Sequence, residues 1–203
     1  MAKNSPFILA FLTAVLLTCT AQAALAAKTV QPGQWRTWWG QASVRKGTYT
    51  LQSQAPSSAD ETHSALLTST ATWGDQVFSY TSTTLAQLRT GSAANPWEVA
   101  WSMFRFSDLT HYYWFIVKPN GWELGKKQGS DTQIFLATGT TPSQPVGGTY
   151  QVRIQAQGPR IRVSVNGAPV VDYTDPSPLV SGSVGLYEED AKVTFANVSV
   201  SPL

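Results

Sequence analysis

The sequence is poor in ionisable and sulfur-containing side chains. Of its 203 residues only 13% are charged, about half the ~25% of an average soluble protein. It has two histidines and one cysteine, Cys19, which excludes a disulfide scaffold and a multi-cysteine metal site. With 14 Lys and Arg against 12 Asp and Glu, the chain lacks the clustered basic surface that nucleic-acid binding requires.

Long apolar runs are also scarce. The one that stands out, residues 7–17, is too short to span a bilayer. It follows Lys3 and precedes the small-residue patterns AQA and ALA, an order typical of a secretory signal peptide. We therefore predict a signal peptide over residues 1–26 that is cleaved between Ala23 and Ala27.

The same segment predicts the location of the protein. Without a second long apolar run, we expect a secreted or periplasmic protein with no membrane span. A lipoprotein anchor at Cys19 is the less favoured alternative, because Thr18 stands where a lipobox carries Gly, Ala or Ser. The remaining residues, 27–203, are enough for one domain with its own core.

Aromatic and β-branched residues are plentiful in that remainder. The chain has 8 Trp, 7 Tyr and 8 Phe, and its 42% hydrophobic content excludes a disordered protein. No segment shows a convincing helical period, although residues 84–90 fit either one helical turn or a strand. Turn signals at regular spacing divide the rest into about a dozen strands. This pattern predicts an all-β fold, an antiparallel two-sheet β-sandwich.

Three dipeptides mark hairpins in this pattern. Asn166-Gly167 lies between two alternating runs and predicts a type I′ turn, because both residues tolerate positive φ. Gly158-Pro159 and Asn120-Gly121 mark two more, the latter with a slightly longer loop because of Pro119.

Three stretches resemble a known superfamily: WEVAWSMFRFSDLTHYYWFIVKPNGWELGK, YQVRIQAQGPRIRVSVNGAPVVDYTD and GSVGLYEEDAKVTFANVSV. They look like the concanavalin A-like lectin/glucanase superfamily, and within it like laminin-G-like and 3-keto-disaccharide-hydrolase-type secreted domains. The resemblance covers residues 35–200. It implies a jelly roll whose concave sheet face binds sugars, but the superfold carries enzymes, lectins and spacers alike.

Catalytic candidates are few. The paired-carboxylate strand pattern of the glucanases is missing, and glycoside hydrolysis needs two carboxylates across a groove. Glu98 and Glu123 lie in aromatic strands and form the alternative pair, with Asp108 as a further acid. The run 188–190 (EED) falls between two strands and is interpreted as a solvated turn. The histidines, His63 and His111, are interpreted as surface or edge residues.

No cofactor is expected, with a structural calcium ion as the exception. Relatives often bind calcium through an Asp in the last strand, but Ala196 occupies that position here. The alternative oxygen ligands are Asp190, Asp172 and Asp175.

The aromatic strands contain the strongest lead. Because side chains alternate along a strand, three sets each share a face: Trp97, Trp101 and Arg105; Tyr112, Trp114 and Lys118; Trp122, Leu124 and Lys126. Aromatic rings can stack on the C–H face of a sugar while charged groups bond its hydroxyls. The predicted ligand-binding residues are Trp101, Arg105, Tyr112, Trp114, Trp122 and Lys126. Core packing is the competing explanation for about half of the tryptophans, and Trp35, Trp38 and Trp39 are expected to be sheet-packing residues and not ligand-binding ones.

The location of two cationic side chains would distinguish between ligand binding and core packing. Arg105 and Lys126 cannot be buried unpaired, so they must face solvent, a groove or a carboxylate. On a concave face they would suit an acidic or hydroxyl-rich ligand, and in the interior they would form structural salt bridges. Both alternatives stay open at this level.

The leading hypothesis is a carbohydrate-binding domain, partnered by a polysaccharide or oligosaccharide and without intrinsic catalysis. The alternatives are a glycoside hydrolase acting on di- or oligosaccharides and a cell-envelope protein-interaction module. The sequence does not determine the oligomeric state.

Overall fold

The computed structural model describes residues 27–31 and 33–203. The predicted signal peptide and Cys19 lie outside these ranges. Within them the chain forms fifteen β-strands and no helix. The strands are β1 (Lys28–Thr29), β2 (Trp35–Trp39), β3 (Gln41–Arg45), β4 (Thr48–Gln52), β5 (Ser64–Ser69), β6 (Gln76–Gln87), β7 (Ala100–Asp108), β8 (His111–Lys118), β9 (Gly121–Gln128), β10 (Ile134–Gly139), β11 (Thr149–Gln157), β12 (Arg160–Val165), β13 (Ala168–Thr174), β14 (Ser183–Glu189) and β15 (Ala191–Pro202).

The strands form two antiparallel sheets, which confirms the predicted β-sandwich. The eight-stranded sheet has the order β13-β12-β11-β6-β15-β4-β3, with β1 also paired to β15. The seven-stranded sheet has the order β10-β9-β8-β7-β14-β5-β2. The chain crosses repeatedly between the two sheets, as in a jelly roll, and two of these crossings are single residues, Gly40 between β2 and β3 and Asp190 between β14 and β15.

The predicted hairpins are present. Asn166 and Gly167 have φ of 51° and 81° and join β12 to β13, which confirms the type I′ turn. Gly158 and Pro159 join β11 to β12. The third hairpin is tighter than expected: Gly121 already pairs with Lys118, so the turn consists of the two residues between them.

The ambiguous segment at residues 84–90 continues strand β6 as far as Gln87. Residues 84, 86 and 87 pair with Val193, Lys192 and Ala191 of β15, so pairing within the sheet decides for a strand here. Within the described ranges, no helix is long and apolar enough to cross a bilayer.

The main core lies between the two sheets. It is filled by the inward-facing side chains of both, among them Leu51, Phe78, Phe104, Tyr113, Phe115, Leu124, Ile154, Leu186 and Phe195. β12 illustrates the alternation, because Ile161, Val163 and Val165 are buried while the residues between them are not. This is the period of two that the sequence predicts.

The outer faces of the two sheets differ. On the eight-stranded sheet, β6 carries outward Ser79, Thr81 and Thr83, which are half-buried. On the seven-stranded sheet, β7 and β8 are buried on both faces over most of their length. Their outward side chains cover one another, so this outer face is a second apolar layer.

Candidate functional site

We call the outer surface of the seven-stranded sheet the aromatic face. Strand alternation directs onto it Trp38, Leu66, Trp101, Met103, Phe106, Tyr112, Trp114, Ile116 and Tyr187. Trp101 packs edge-on against Tyr187, with ring centroids 5.7 Å apart, and lies 6.3 Å from Trp114. Such offset and edge contacts are favourable for aromatic pairs. The face is therefore a close-packed floor of rings.

A glycine permits this packing. Trp114 is only 1% exposed, and its indole ring lies across Gly125 of the neighbouring strand. Any Cβ at position 125 would overlap that ring. The missing side chain of Gly125 therefore lets Trp114 lie flat against the sheet.

A pocket of about 310 Å³ opens on one end of the aromatic face. It is lined by Trp97, Trp101, Lys118, Glu123, Gln133, Phe135 and Glu189. The residues Trp97 and Phe135 are 42% and 54% exposed, whereas Trp101 is buried. Two accessible rings thus stand beside a pocket that contains ionisable groups.

Two carboxylates and one ammonium supply the polar chemistry of the pocket. Lys118 Nζ donates to Glu123 Oε1 in a short ion pair that is largely shielded from solvent. Glu189 Oε1 accepts a hydrogen bond of 2.7 Å from the Tyr187 hydroxyl. Burial raises the pKa of Glu189 above its usual range, and the nearby Asp190 carboxylate adds to this increase.

A buried ion cluster lies next to the pocket. Arg89 donates through Nε to Glu98 and through Nη2 to Asp190 Oδ2 at 2.7 Å. All three side chains are at most 1% exposed. Glu98 directly follows the pocket residue Trp97 in the chain, and Asp190 directly follows the pocket residue Glu189. The cluster therefore holds together the two chain segments that contribute Trp97 and Glu189 to the pocket.

Of the six predicted ligand-binding residues, the structure brings three together. Trp101, Tyr112 and Trp114 lie on the aromatic face. Trp122 lies on the opposite side of its sheet, in the main core, and its Nε1 donates to the Thr141 carbonyl at 2.8 Å. The expectation that Trp122 shares their face is wrong, because the even-numbered residues of β9, Trp122 and Leu124 among them, point into the main core.

Lys126 has the same parity as Trp122 and also points inward. Its ammonium contacts both Asp175 oxygens, at 3.0 and 2.8 Å, and the Ser177 carbonyl at 2.7 Å. The Tyr113 hydroxyl donates to Asp175 at 2.6 Å. Burial by itself would raise the pKa of Asp175, but the hydrogen bonds from Lys126 and Tyr113 outweigh it and hold that pKa below its usual range. Of the two alternatives for Lys126, the structural salt bridge is the one observed.

Arg105 is also turned away from the aromatic face. It adopts a positive φ of 48° where the pairing registers of β7 shift, which marks a β-bulge. Its guanidinium donates to the carbonyls of Gly158 and Leu179, both at 2.7 Å, and contacts Asp75 at 3.2 Å. The parity prediction for Arg105 is wrong because the bulge interrupts the alternation.

The carboxylates predicted as a pair do not share a pocket. Glu98 is fully buried in the ion cluster, whereas Glu123 lines the pocket. Asp108 lies at the exposed β7–β8 turn, 3.0 Å from His111. The partner of Glu123 in the pocket is Glu189. The interpretation of residues 188–190 as a solvated turn is therefore wrong, since Glu188 and Asp190 are fully buried.

The three Asp residues proposed as calcium ligands lie in separate places. Asp190 pairs with Arg89, Asp175 with Lys126, and the exposed Asp172 with Arg160. In the part of the chain that the structure describes, no three His, Cys, Asp or Glu side chains form a metal-binding group. These three Asp residues therefore do not meet in one calcium site, and calcium binding stays a prediction.

Three pocket residues were not singled out as site residues from the sequence: Gln133, Phe135 and Glu189. Phe135 lies on the edge strand β10, and Glu189 ends β14. A signal for Glu189 exists: it has the same strand parity as Tyr187, which belongs to the aromatic face. The signal is visible only if β14 is extended through Glu189 instead of being ended at Tyr187.

Comparisons with solved structures support the sandwich architecture. The carbohydrate binding module CBM66 from Bacillus subtilis is similar with a TM-score of 0.66 and 20% identity, over 83% of this chain and 95% of that one. A Bacillus subtilis protein of unknown function with a galectin-like fold has a TM-score of 0.60 and 14% identity, over 87% and 94%. A putative glycosyl hydrolase from Parabacteroides distasonis has a TM-score of 0.55 and 11% identity, over 84% and 89%. At these identities the likeness concerns the fold alone.

A search among curated proteins found no significant match. The sequence profile of one domain family, however, matches residues 25–201, nearly all of the chain. That span includes both sheets and every residue of the pocket. The chain belongs to the 3-keto-alpha-glucoside-1,2-lyase-like domain family.

Proposed function

We propose that this protein binds saccharides in the pocket of the aromatic face, without converting them. The observation that carries the proposal is the pair of accessible rings, Trp97 and Phe135, beside a pocket with two carboxylates and an ammonium. Their exposure distinguishes them from the core rings, which have no surface to offer a ligand.

The chemistry of the pocket suits a sugar. A pyranose presents C–H groups on its faces, which pack on aromatic rings, and hydroxyls around its rim. The hydroxyls can donate to the oxygens of Glu123 and Glu189 and can accept from Lys118 and Gln133. A volume of about 310 Å³ is at the low end of small-ligand pockets, which favours one or two sugar rings.

The fold and the family support a saccharide ligand. The similar CBM66 structure is a carbohydrate binding module, and the family description refers to a glucoside. The short ion pair between Lys118 and Glu123 supports binding over turnover, because it occupies one of the two carboxylates. We place this binding outside the cytoplasm, in keeping with the signal-peptide pattern of residues 1–26.

The test is a glycan array followed by calorimetric titration of each bound glycan. Trp97→Ala and Phe135→Ala are expected to weaken binding at least tenfold, about 1.4 kcal/mol each. Trp39→Ala is the matched control, because Trp39 is a comparably exposed tryptophan that does not line the pocket. If the folded protein binds no glycan, or if both variants bind like the wild type, the proposal is wrong.

A second candidate function is a glycan-active enzyme. The observation that favours it is the presence of Glu123 and Glu189 in one pocket, together with a family described as lyase-like. Incubation with the glycans found on the array, followed by mass spectrometry of the products, tests it. Glu123→Gln and Glu189→Gln should each abolish any turnover, and activity that persists in both variants would contradict this role.

A further inference from the structure

The pocket has no free cation among its lining residues. Lys118 is its one basic residue, and its ammonium is held by Glu123. With side-chain exposures of 10% and 17%, this pair is shielded enough for its two charges to compensate each other. The charge that a ligand meets in the pocket is therefore determined by Glu189.

The surroundings of Glu189 are predominantly acidic. The carboxylates of Asp190 and Glu98 lie near enough to raise its pKa, whereas Lys127 acts in the opposite direction. Lys127 is also engaged, since it contacts Asp131 at 3.2 Å. Arg89 is saturated by the two buried acids of the ion cluster. An anionic ligand near Glu189 would thus meet acidic groups, while the nearby cations Lys127 and Arg89 are already paired.

Neutral, amino and anionic sugars should therefore differ in their affinity for the pocket. A neutral sugar can donate its hydroxyls to Glu189 and Glu123 with no change in the ion pair. An amino sugar can add an ammonium–carboxylate contact. A uronate or sulfate must either face Glu189 or take Lys118 from Glu123, and a buried like-charge contact or a broken shielded pair is costly.

We propose that the pocket accepts neutral or amino sugars and rejects anionic ones, with Glu189 as the residue that determines this specificity. The inference rests on the proposed saccharide binding. It replaces the alternative, left open by the sequence, that Arg105 and Lys126 face an acidic or hydroxyl-rich ligand, since both are turned inward and paired.

The experiment compares matched glycans on an array that carries each neutral oligosaccharide beside its uronate, sulfated and amino counterparts. At pH 7 and low salt, neutral and amino forms are expected to bind at least tenfold more tightly than the anionic forms. Glu189→Gln should narrow this ratio several-fold by improving binding of the anionic forms. Added salt should also narrow it, because screening weakens charge–charge repulsion.

Asp172→Asn is the matched control, because it makes the same charge change at an exposed site on the eight-stranded sheet. It should leave the ratio unchanged. Equal or tighter binding of the anionic forms by the wild type overturns the inference while the saccharide proposal stands. A ratio that Glu189→Gln does not alter overturns the role of Glu189. Failure of the folded protein to bind any glycan overturns both proposals.

Discussion

Arg89 Nη2 lies 2.7 Å from Asp190 Oδ2, in a cluster where both side chains are buried. The same guanidinium donates to Glu98 and to the backbone carbonyls of Ser58 and Glu61, at 2.8 and 3.1 Å. One side chain thus ties together the loop before β5, the segment before β7 and the β14–β15 turn. The latter two segments carry Trp97 and Glu189 of the pocket.

Replacement of this arginine should destabilise the protein strongly. Arg89→Met leaves two acids buried without a cation, and breaking a buried ion pair typically costs about 3–5 kcal/mol. Urea denaturation measures the loss. Arg160→Met is the control, since it removes an arginine from the exposed pair with Asp172, where the expected loss is at most about 1 kcal/mol. Similar losses in both variants would contradict the role of the cluster.

Glu188 should make stability decrease as pH rises. It is fully buried, and burial raises its pKa to about 8, against about 4.3 in an unfolded chain. Between these values the folded state holds a proton that the unfolded state has lost. The free energy of unfolding therefore falls with increasing pH, by at most about 1.4 kcal/mol per pH unit for this group.

Glu188→Gln tests this assignment. The amide oxygen can accept the same hydrogen bonds from Ser53 and Ala191 that the carboxyl oxygen accepts, but it does not ionise. Relative to the wild type, the variant should gain stability between pH 5 and pH 8, measured by urea denaturation across that range. A constant difference between the two proteins at all pH values would show that Glu188 does not titrate there.

The buried pair of Lys126 and Asp175 should behave as a unit. Asp175→Asn leaves the Lys126 ammonium buried beside a neutral group, so we expect a loss of about 3–5 kcal/mol. Because the pKa of Asp175 is lowered in the folded state, its stabilising contribution is present near neutral pH and is lost as pH falls through the acidic range. The variant should therefore show a flatter loss of stability towards acid.

A double-mutant cycle with Lys126→Met provides the control for this pair. Removal of both charges leaves no unpaired charge, so the double variant should be less destabilised than the sum of the single variants. Strict additivity of the two losses would contradict a direct interaction.

Gly125→Ala should disturb the floor of the aromatic face. The new methyl group meets the buried Trp114 ring, and overpacking of this kind costs about 1–3 kcal/mol. A shift in tryptophan fluorescence should accompany the lower melting temperature. Gly74→Ala is the control, because a Cβ there meets only a carbonyl oxygen at 3.7 Å. Equal effects of the two substitutions would show that Trp114 does not depend on Gly125.

The features that follow from local rules could be predicted from the sequence. Asn166-Gly167 adopts the positive φ values that a type I′ turn needs, and these values depend on the two residues themselves. The alternation that buries Ile161 and Val163 likewise depends only on the geometry of a strand. Trp101, Tyr112 and Trp114 could be grouped on one face for the same reason.

Features that depend on position in the sheet or on partners from distant segments could not be predicted in this way. Arg105 left the predicted face because of a bulge, which no periodic pattern reveals. Lys126 and Asp175 are 49 residues apart in the chain, so their pairing requires the packing of one connection against a sheet. The position of Glu189 on a strand could not be predicted, because the end of β14 depends on its pairing with the neighbouring strands β5 and β7.

The sequence by itself determined an all-β sandwich with its hairpins, its alternating core and a surplus of aromatic side chains, because strand periodicity and turn chemistry are local properties. Only the tertiary structure decided which rings and charges meet. Burial requires each interior charge to find a partner, and Arg105, Lys126 and Glu98 therefore stabilise the fold. The same pairing leaves Glu123 and Glu189 beside Trp97 and Phe135, where a ligand can reach them.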